Sequence, residues 1–277
     1  VPLFVKNRIT SCRNPKIVNL VSLIEKKKER REQGLFAVEG ERELRTCISC
    51  GFILESIFVC PDIADASLLA GLDSLSIRKL KNICLSDKNV FAVTPSVYSR
   101  IAYREGTEGV LAVFRSRNLS LSDLKPKGTP LIPVLENVEK PGNIGAVLRT
   151  ADGAGADCVL LCDCPTDLYN PNVIRSSLGA VFSVPVVCCT SMEAVKWLKD
   201  NDIAIYSAQL QNSRAYYGAD MKRACALVMG SEDKGLTQIW RESSDERLLI
   251  PMLGKMDSLN VSISASILCY EAVRQRI

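Results

Sequence analysis

Three short stretches in the second half of the chain set polar groups beside glycine or proline at the ends of apolar runs. They are Asn137-Val-Glu-Lys-Pro-Gly-Asn143-Ile-Gly145-Ala-Val-Leu-Arg149-Thr, Met229-Gly230-Ser-Glu232-Asp-Lys-Gly235-Leu, and Ile250-Pro251-Met252 running on to Ser258-Leu-Asn260-Val-Ser262. Loops at the ends of parallel strands have this character when they hold a ligand. Together the stretches supply a guanidinium (Arg149), a carboxylate (Glu232), two amides (Asn143 and Asn260) and a hydroxyl (Ser258). The sequence contains no histidine. Ser-His-Asp and Cys-His catalysis are therefore excluded, as is a histidine general base. A proton, if one must move, goes to a carboxylate, Lys, Tyr, Cys or water. The polar residues also have plainer readings. Glu232 could stabilise the helical turn after it by about 0.3–1 kcal/mol, and Ser258 or Asn260 could cap the last helix.

The elements that position these residues follow from the apolar pattern. Short apolar runs at 131–135, 158–162, 184–188, 203–208, 226–229 and 247–250 suit strands buried on both faces of a parallel sheet. Helices are expected between them at 143–154, 170–179, 191–200 and 235–242, with a turn or helix near 214–221. A final helix spans Val261 to Arg276, with Ile263, Ile267, Tyr270 and Val273 toward the core. The fold class is α/β, a doubly wound domain with six strands.

A smaller α/β domain precedes it. A helix is expected from Asn14 to about Gln33, where Ile17, Leu20, Val21 and Ile24 recur at helical spacing and Gly34 ends the run. Strands follow at 35–39, 53–60, 82–85 and 110–114, and helices at 41–50, 64–72 and from Thr94-Pro95-Ser96 onward. Residues between Arg115 and Thr129 are rich in Ser, Lys, Pro and Gly, as linkers are. The expected organisation is a first domain at 1–117, a linker at 118–129 and a second domain at 130–277.

Composition narrows the partners. Residues 1–129 carry 21 Lys and Arg against 14 Asp and Glu, whereas the rest carries 14 against 17. A basic first half meets a polyanion; the plainer reading is a solvated helix face around Lys26 to Glu32. No apolar run is long enough to span a bilayer, and the chain does not open like a signal peptide. A cytoplasmic protein is expected. Of the 12 cysteines, Cys158, Cys162, Cys188, Cys189, Cys225 and Cys269 lie in or beside apolar stretches, as buried thiols do. Cys47 and Cys50 have CxxC spacing, but a zinc site lacks its remaining ligands. Two decoys fail. Gly153-Ala-Gly155 leads into a strand instead of following one, and Gly230 to Gly235 has Leu236 where a phosphate loop needs Lys.

The second half resembles the SpoU/TrmH family of the SPOUT superfamily, RNA 2′-O-ribose methyltransferases that use S-adenosylmethionine. Asn143, Gly145 and Arg149 match the first family motif, Gly230, Glu232 and Gly235 the second, and Ile250, Pro251, Met252, Ser258, Leu259 and Asn260 the third. The first half resembles the ribosomal-protein-like substrate-binding domain of such enzymes, on Leu35-Phe-Ala-Val-Glu-Gly and Gly109-Val-Leu-Ala-Val-Phe. The resemblance implies a trefoil knot in the second domain, a homodimer, S-adenosylmethionine as cofactor, no metal, and an RNA substrate, rRNA favoured over tRNA. It implies a catalytic set of Asn143, Arg149, Glu232, Ser258 and Asn260. Gly230, Ile250, Met252 and Leu259 would hold the cofactor, the aliphatic pair sandwiching adenine; as residues alone they fit ordinary core equally well. Arginine stays charged in proteins, so Arg149 suits orientation of the ribose and stabilisation of a developing alkoxide. Arg175 is a further possible RNA contact. An RNA-binding or ribosome-assembly protein without catalysis is the alternative.

Overall fold

The computed structural model describes residues 7–67, 89–103 and 108–277. They form two compact units, one drawn from Val1–Arg117 with Tyr169–Ile174, the other from Asn118–Leu168 with Arg175–Ile277.

In the first unit, α1 (Pro15–Glu25) is started by Asn14, whose side chain accepts from the Lys16 N–H. The sequence predicts one helix as far as Gln33. Instead the chain turns extended at Lys26 and resumes as α2 (Lys27–Gln33). Arg30 supplies the reason. Its guanidinium folds back to donate to the carbonyls of Leu23 and Ile24, at 2.6 and 2.9 Å. Those are terminal carbonyls of α1, which need a donor once the helix stops. β2 (Leu35–Glu39), α3 (Glu41–Ser49), β3 (Leu54–Val59), α4 (Pro95–Ile101) and β5 (Val110–Arg115) follow as expected, and a further strand, β4 (Val90–Val93), precedes α4 where none was expected. The helix expected over 64–72 falls mostly outside the described residues, and the strand at 82–85 wholly so. A strand of two residues, β1 (Arg8–Ile9), pairs with β4 and is too short for any periodicity to betray. The sheet order is β1-β4-β3-β5-β2, with β5 antiparallel to both neighbours.

The second unit is built on one all-parallel sheet. Its strands are β6 (Leu131–Glu136), β7 (Val159–Cys162), β8 (Val186–Cys189), β9 (Ala204–Ala208), β10 (Arg214–Ala215), β11 (Cys225–Met229) and β12 (Glu246–Leu249), in the order β10-β12-β9-β11-β6-β7-β8. All six expected strands are present, and the two-residue β10 is added just before a short 3-10 turn at Tyr216–Gly218, where a turn or helix was expected. The helices are α5 (Pro141–Gly153), α6 (Pro171–Ser177, of which only the residues from Arg175 on group with this unit), α7 (Ala180–Ser183), α8 (Ser191–Asp200), α9 (Gln238–Ser243) and α10 (Val261–Arg276). The single helix expected at 170–179 divides because Leu178 and Gly179 both take positive φ, 52° and 90°. Residues 118–129 group with this unit: Leu119 bridges to Val187, and Leu121 and Leu124 pack on the core.

Two burial expectations are corrected. Strands β6, β7 and β11 are buried throughout, but β8 is an edge strand, so Cys188 is exposed and Cys189 half-buried. On α10, Ile263 and Tyr270 are 50% and 51% exposed, while Ile267 and Val273 are half-buried. The inward face is Val261, Ala265, Leu268, Cys269 and Ala272. Apolar residues surround this helix on nearly every side, so spacing alone cannot pick the inner face. The small alanines decide it by letting α10 approach α5, where the Thr150 and Ser266 hydroxyls meet at 2.8 Å.

The end of α10 is clasped to the sheet. Arg276 donates to the carbonyls of Thr129, Met221 and Arg223, each at 2.8 Å, just before β6 and β11 begin. Hydrogen bonds from a charged donor contribute about 1.5–3 kcal/mol. Arg276→Ala is expected to lower the unfolding free energy by about that amount, read from the denaturant midpoint. An unchanged midpoint would show the clasp to be idle.

Candidate active site

Each stretch singled out by the sequence sits where a strand hands over to a loop or helix. Asn137, with φ of 52°, turns the chain out of β6, and Pro141 opens α5, so Asn143 lies in the first turn. Gly145 is on the buried side. A Cβ there would stand 1.9 Å from the Ser176 Oγ and 2.7 Å from the Ser177 backbone nitrogen. Only glycine permits so close an approach of α5 to α6.

The second stretch leaves β11 and closes on itself. The Gly235 N–H donates to the Ser231 carbonyl at 2.9 Å, and a Cβ on Gly230 would lie 2.3 Å from the Gly235 carbonyl carbon. The close approach that Gly230 permits is thus to its own loop. The turn leaves Glu232 exposed. The third stretch joins β12 to α10. Asn260 caps α10, its Oδ1 accepting from the Ser262 N–H at 2.9 Å. The plain reading of Asn260 as a cap holds, and its amide nitrogen remains available for a second task.

The three stretches meet at Glu232. Asn143 donates to its Oε1 at 3.1 Å, Asn260 donates to the same oxygen at 2.6 Å, and the Lys140 ammonium reaches Oε2 at 2.5 Å. Asn260 also donates to the Asn143 Oδ1 at 3.1 Å. Lys140 is the residue that sequence reasoning passed over. Its place just before the Pro-Gly that opens α5 was the available signal. Because Lys140 is 72% exposed, water screens the ion pair, and its value is orientation more than stability.

The charges reinforce one another. The hydrogen bond from Lys140 is the largest cause holding the Glu232 carboxyl below the usual carboxylate range, with Asn143 and Asn260 adding to it. The same bond holds the Lys140 ammonium above its ordinary range. A depressed carboxyl makes its full contribution above the ordinary carboxylate pKa and loses it only as pH falls through the lowered value. A raised ammonium contributes below the ordinary lysine pKa and loses it as pH rises through the raised value. The pair is therefore intact across neutral pH. A carboxylate held this firmly in its ionised form is a weak proton acceptor, so Glu232 serves as a fixed, orienting charge.

Other expected residues lie outside this cluster. Arg149 is exposed on α5 and makes no hydrogen bond or ion pair among the described residues. Ser258 is exposed and donates to its neighbour Asp257 at 3.2 Å. Arg175 is exposed near the end of α6. Ile250, Met252 and Leu259 are half-buried on the 250–260 loop, where Leu253 and Met256 stand 100% and 71% exposed. Apolar side chains gathered on a loop in water form a surface suited to a flat apolar ligand. Cys47 of the CxxC pair is buried, and burial pushes its thiol up. Among the described residues, no group of three or more His, Cys, Asp or Glu is arranged to hold a metal ion, and no helix is long and apolar enough to cross a membrane.

Known proteins match both units. Residues 130–270 match the SpoU rRNA Methylase family, and residues 14–112 the MRM3-like substrate binding domain. The chain is 28% identical over 264 residues to the 23S rRNA (guanosine(2553)-2′-O)-methyltransferase RlmP of Bacillus subtilis (strain 168), covering 95% of this chain and 98% of that one. A crystal structure of an RNA 2′-O ribose methyltransferase is 35% identical, with a TM-score of 0.81 over 97% of this chain and 99% of its own. The AdoMet-bound rRNA methyltransferase from Sinorhizobium meliloti is 26% identical, with a TM-score of 0.86 over 98% of each chain.

The Glu232 cluster makes a direct forecast. Lys140→Met removes the largest cause of the depressed carboxyl, so the titration midpoint of Glu232, followed by carboxyl-carbon NMR, should rise toward the ordinary value. A midpoint that stays where it was would mean that Lys140 does not hold Glu232 in solution.

Proposed function

The chain belongs to the SpoU rRNA methylase family, and on that footing we propose that it transfers a methyl group from S-adenosylmethionine to a ribose 2′-hydroxyl of ribosomal RNA. The observation that carries this reading is the convergence of Asn143, Glu232 and Asn260. Residues 89 and 28 positions apart share one carboxylate oxygen, at the corner where the three family motifs end.

The residues present fit the cofactor. A thioether and two aliphatic side chains, Met252, Ile250 and Leu259, sit half-buried on a loop whose neighbours Leu253 and Met256 are left in water. Together with the turn at Gly230 they would hold S-adenosylmethionine. When bound, that cofactor supplies an activated methyl group on a sulfonium. The chain's own task is then alignment and charge. Arg149 carries an unengaged guanidinium on the same helix as Asn143. It stays protonated, so it orients a phosphate or ribose oxygen and stabilises the alkoxide as the 2′-hydroxyl gives up its proton to water. Glu232, fixed and ionised, holds Asn143 and Asn260 in register, and Ser258 belongs to the same loop as Asn260.

Several features support the choice of RNA and assembly. The first unit has the basic excess that suits a polyanion and matches a substrate-binding domain. Relatives over nearly the whole chain are named for 23S rRNA or rRNA, which favours rRNA over tRNA and action in the cytoplasm. The outward Ile263 and Tyr270 lie seven residues apart on α10, each about half exposed, which places them on one face of that helix. An apolar stripe of that kind favours a second copy of the chain as its cover, so the homodimer is part of the proposal. So is the trefoil knot, whose loops would be the two that meet at Glu232 and Asn260.

Calorimetry should detect S-adenosylmethionine and S-adenosylhomocysteine binding but neither NAD nor ATP. Binding of NAD without binding of the methyl donor would reject the proposal. Arg149→Ala is expected to keep the fold while methylation of rRNA slows by about 10²–10³, the usual loss when one donor to developing charge is removed. Unaltered turnover would take Arg149 out of the site.

A further inference from the structure

Behind the Glu232 cluster lies a second carboxyl that the methyltransferase reading leaves without a role. Glu136 is the last residue of β6 and only 1% exposed. Burying an acid among apolar strands is costly unless donors are supplied, and here three converge. Oε2 accepts from the Thr237 N–H at 2.8 Å, while Oε1 accepts from the Ser191 hydroxyl at 3.1 Å and from the Thr237 hydroxyl. Ser191 accepts in turn from the indole N–H of the fully buried Trp240 at 2.9 Å. One side chain thus holds the first residue of α8 and the residue that starts α9, 55 and 101 positions away.

The placement of these bonds distinguishes them from general packing. β11 runs beside β6 with Met229 paired to Leu135, so the Gly230 loop departs next to Glu136. The loop closes on itself through the Gly235 N–H and the Ser231 carbonyl. It then buries Leu236 to 3% exposure and returns to Glu136 at Thr237. Both ends of the loop are therefore fixed at the tip of β6. Its middle carries Glu232, which must meet Asn143 and Asn260 across hydrogen bonds of 3.1 and 2.6 Å. A loop with one loose end could not keep that meeting point, since hydrogen bonds weaken steeply with small displacements.

We infer that Glu136 is a positioning residue for methyl transfer. By gripping Thr237 it sets the Gly230–Leu236 loop, and with it Glu232 and the loop's cofactor-facing backbone. The consequence for catalysis rests on the methyltransferase reading; the anchoring itself does not.

Two measurements on the full chain separate the two. Glu136→Gln introduces an amide donor facing three donors, and Thr237→Val removes one of them while leaving Glu136 in place. Thr237→Ser keeps the hydroxyl. Amide hydrogen exchange in the absence of ligand should quicken by about tenfold or more over residues 230–237 in Glu136→Gln and Thr237→Val, as loss of a partly buried hydrogen bond to a carboxylate implies. It should stay unchanged in α10 and in the first unit, and return to the parent rate in Thr237→Ser. Calorimetry should show the dissociation constant for S-adenosylmethionine raised by a similar factor in the first two variants and restored in Thr237→Ser, with the KM for RNA unaltered. Unchanged exchange over 230–237, or a Thr237→Ser that behaves like Thr237→Val, overturns the anchoring. Faster exchange with unaltered cofactor affinity overturns the link to methyl transfer. If the parent protein fails to bind S-adenosylmethionine, the methyltransferase reading falls, and the exchange experiment still decides the anchor. Should Glu136→Gln fail to fold, the two Thr237 variants carry the test.

Discussion

One exposed carboxylate organises the candidate site. Glu232 sits on a turn that has no helix or strand of its own, yet it receives an amide from the start of α5, an amide from the start of α10 and an ammonium from Lys140. None of the three donors would hold its rotamer as firmly alone, because each is at least partly exposed and water competes for it. Together they satisfy both carboxylate oxygens. The site is therefore a small polar keystone laid over a sheet whose strands β6, β7 and β11 are buried throughout. The sheet contributes rigidity, and the carboxylate contributes the register between segments that are distant along the chain.

That register depends on steric economy as much as on charge. At Gly145 and Gly230 a single methyl group would collide with backbone or near-backbone atoms, so α5 and the Gly230 turn sit closer to their neighbours than any other residue would allow. Asn143 and Glu232 are each within two residues of one of these glycines. The polar groups meet because the backbone beneath them is drawn in. This explains why glycine and acid or amide occur as a unit in these stretches: one sets the distance and the other uses it.

Much of this was legible in the amino-acid order. The six principal strands of the second unit announced themselves as apolar runs, and the three polar stretches between them contain every residue of the Glu232 cluster. Boundaries failed where backbone angles decided them, as at Leu178 and Gly179, or where a remote side chain intervened, as Arg30 does for α1. The inward face of α10 was misread because Ile263 and Tyr270 are as apolar as Leu268 and Cys269, and periodicity cannot choose between two apolar faces. Lys140 drew no notice because a lysine in a turn is ordinary; only its 2.5 Å contact with Glu232 gives it meaning. Glu136 lies just past the apolar run at 131–135 and drew no notice, because its three donors lie at positions 191 and 237, beyond any local pattern.

The pairing of β6 with β11 carries one more consequence. Leu135 and Met229 are neighbours at the middle of the sheet, yet more than half of the second unit lies between them in the chain. Contacts of such long range form slowly, since loop closure must come before they bring any reward. During synthesis the ribosome releases β6 and α5 long before β11, so the first half of the sheet must wait with its central edge bare. The corner that gathers Asn143, Glu232 and Asn260 then forms only after the segment that joins Glu232 to Asn260 has emerged. A nascent chain holds Asn143 well before the two partners that give it a working place.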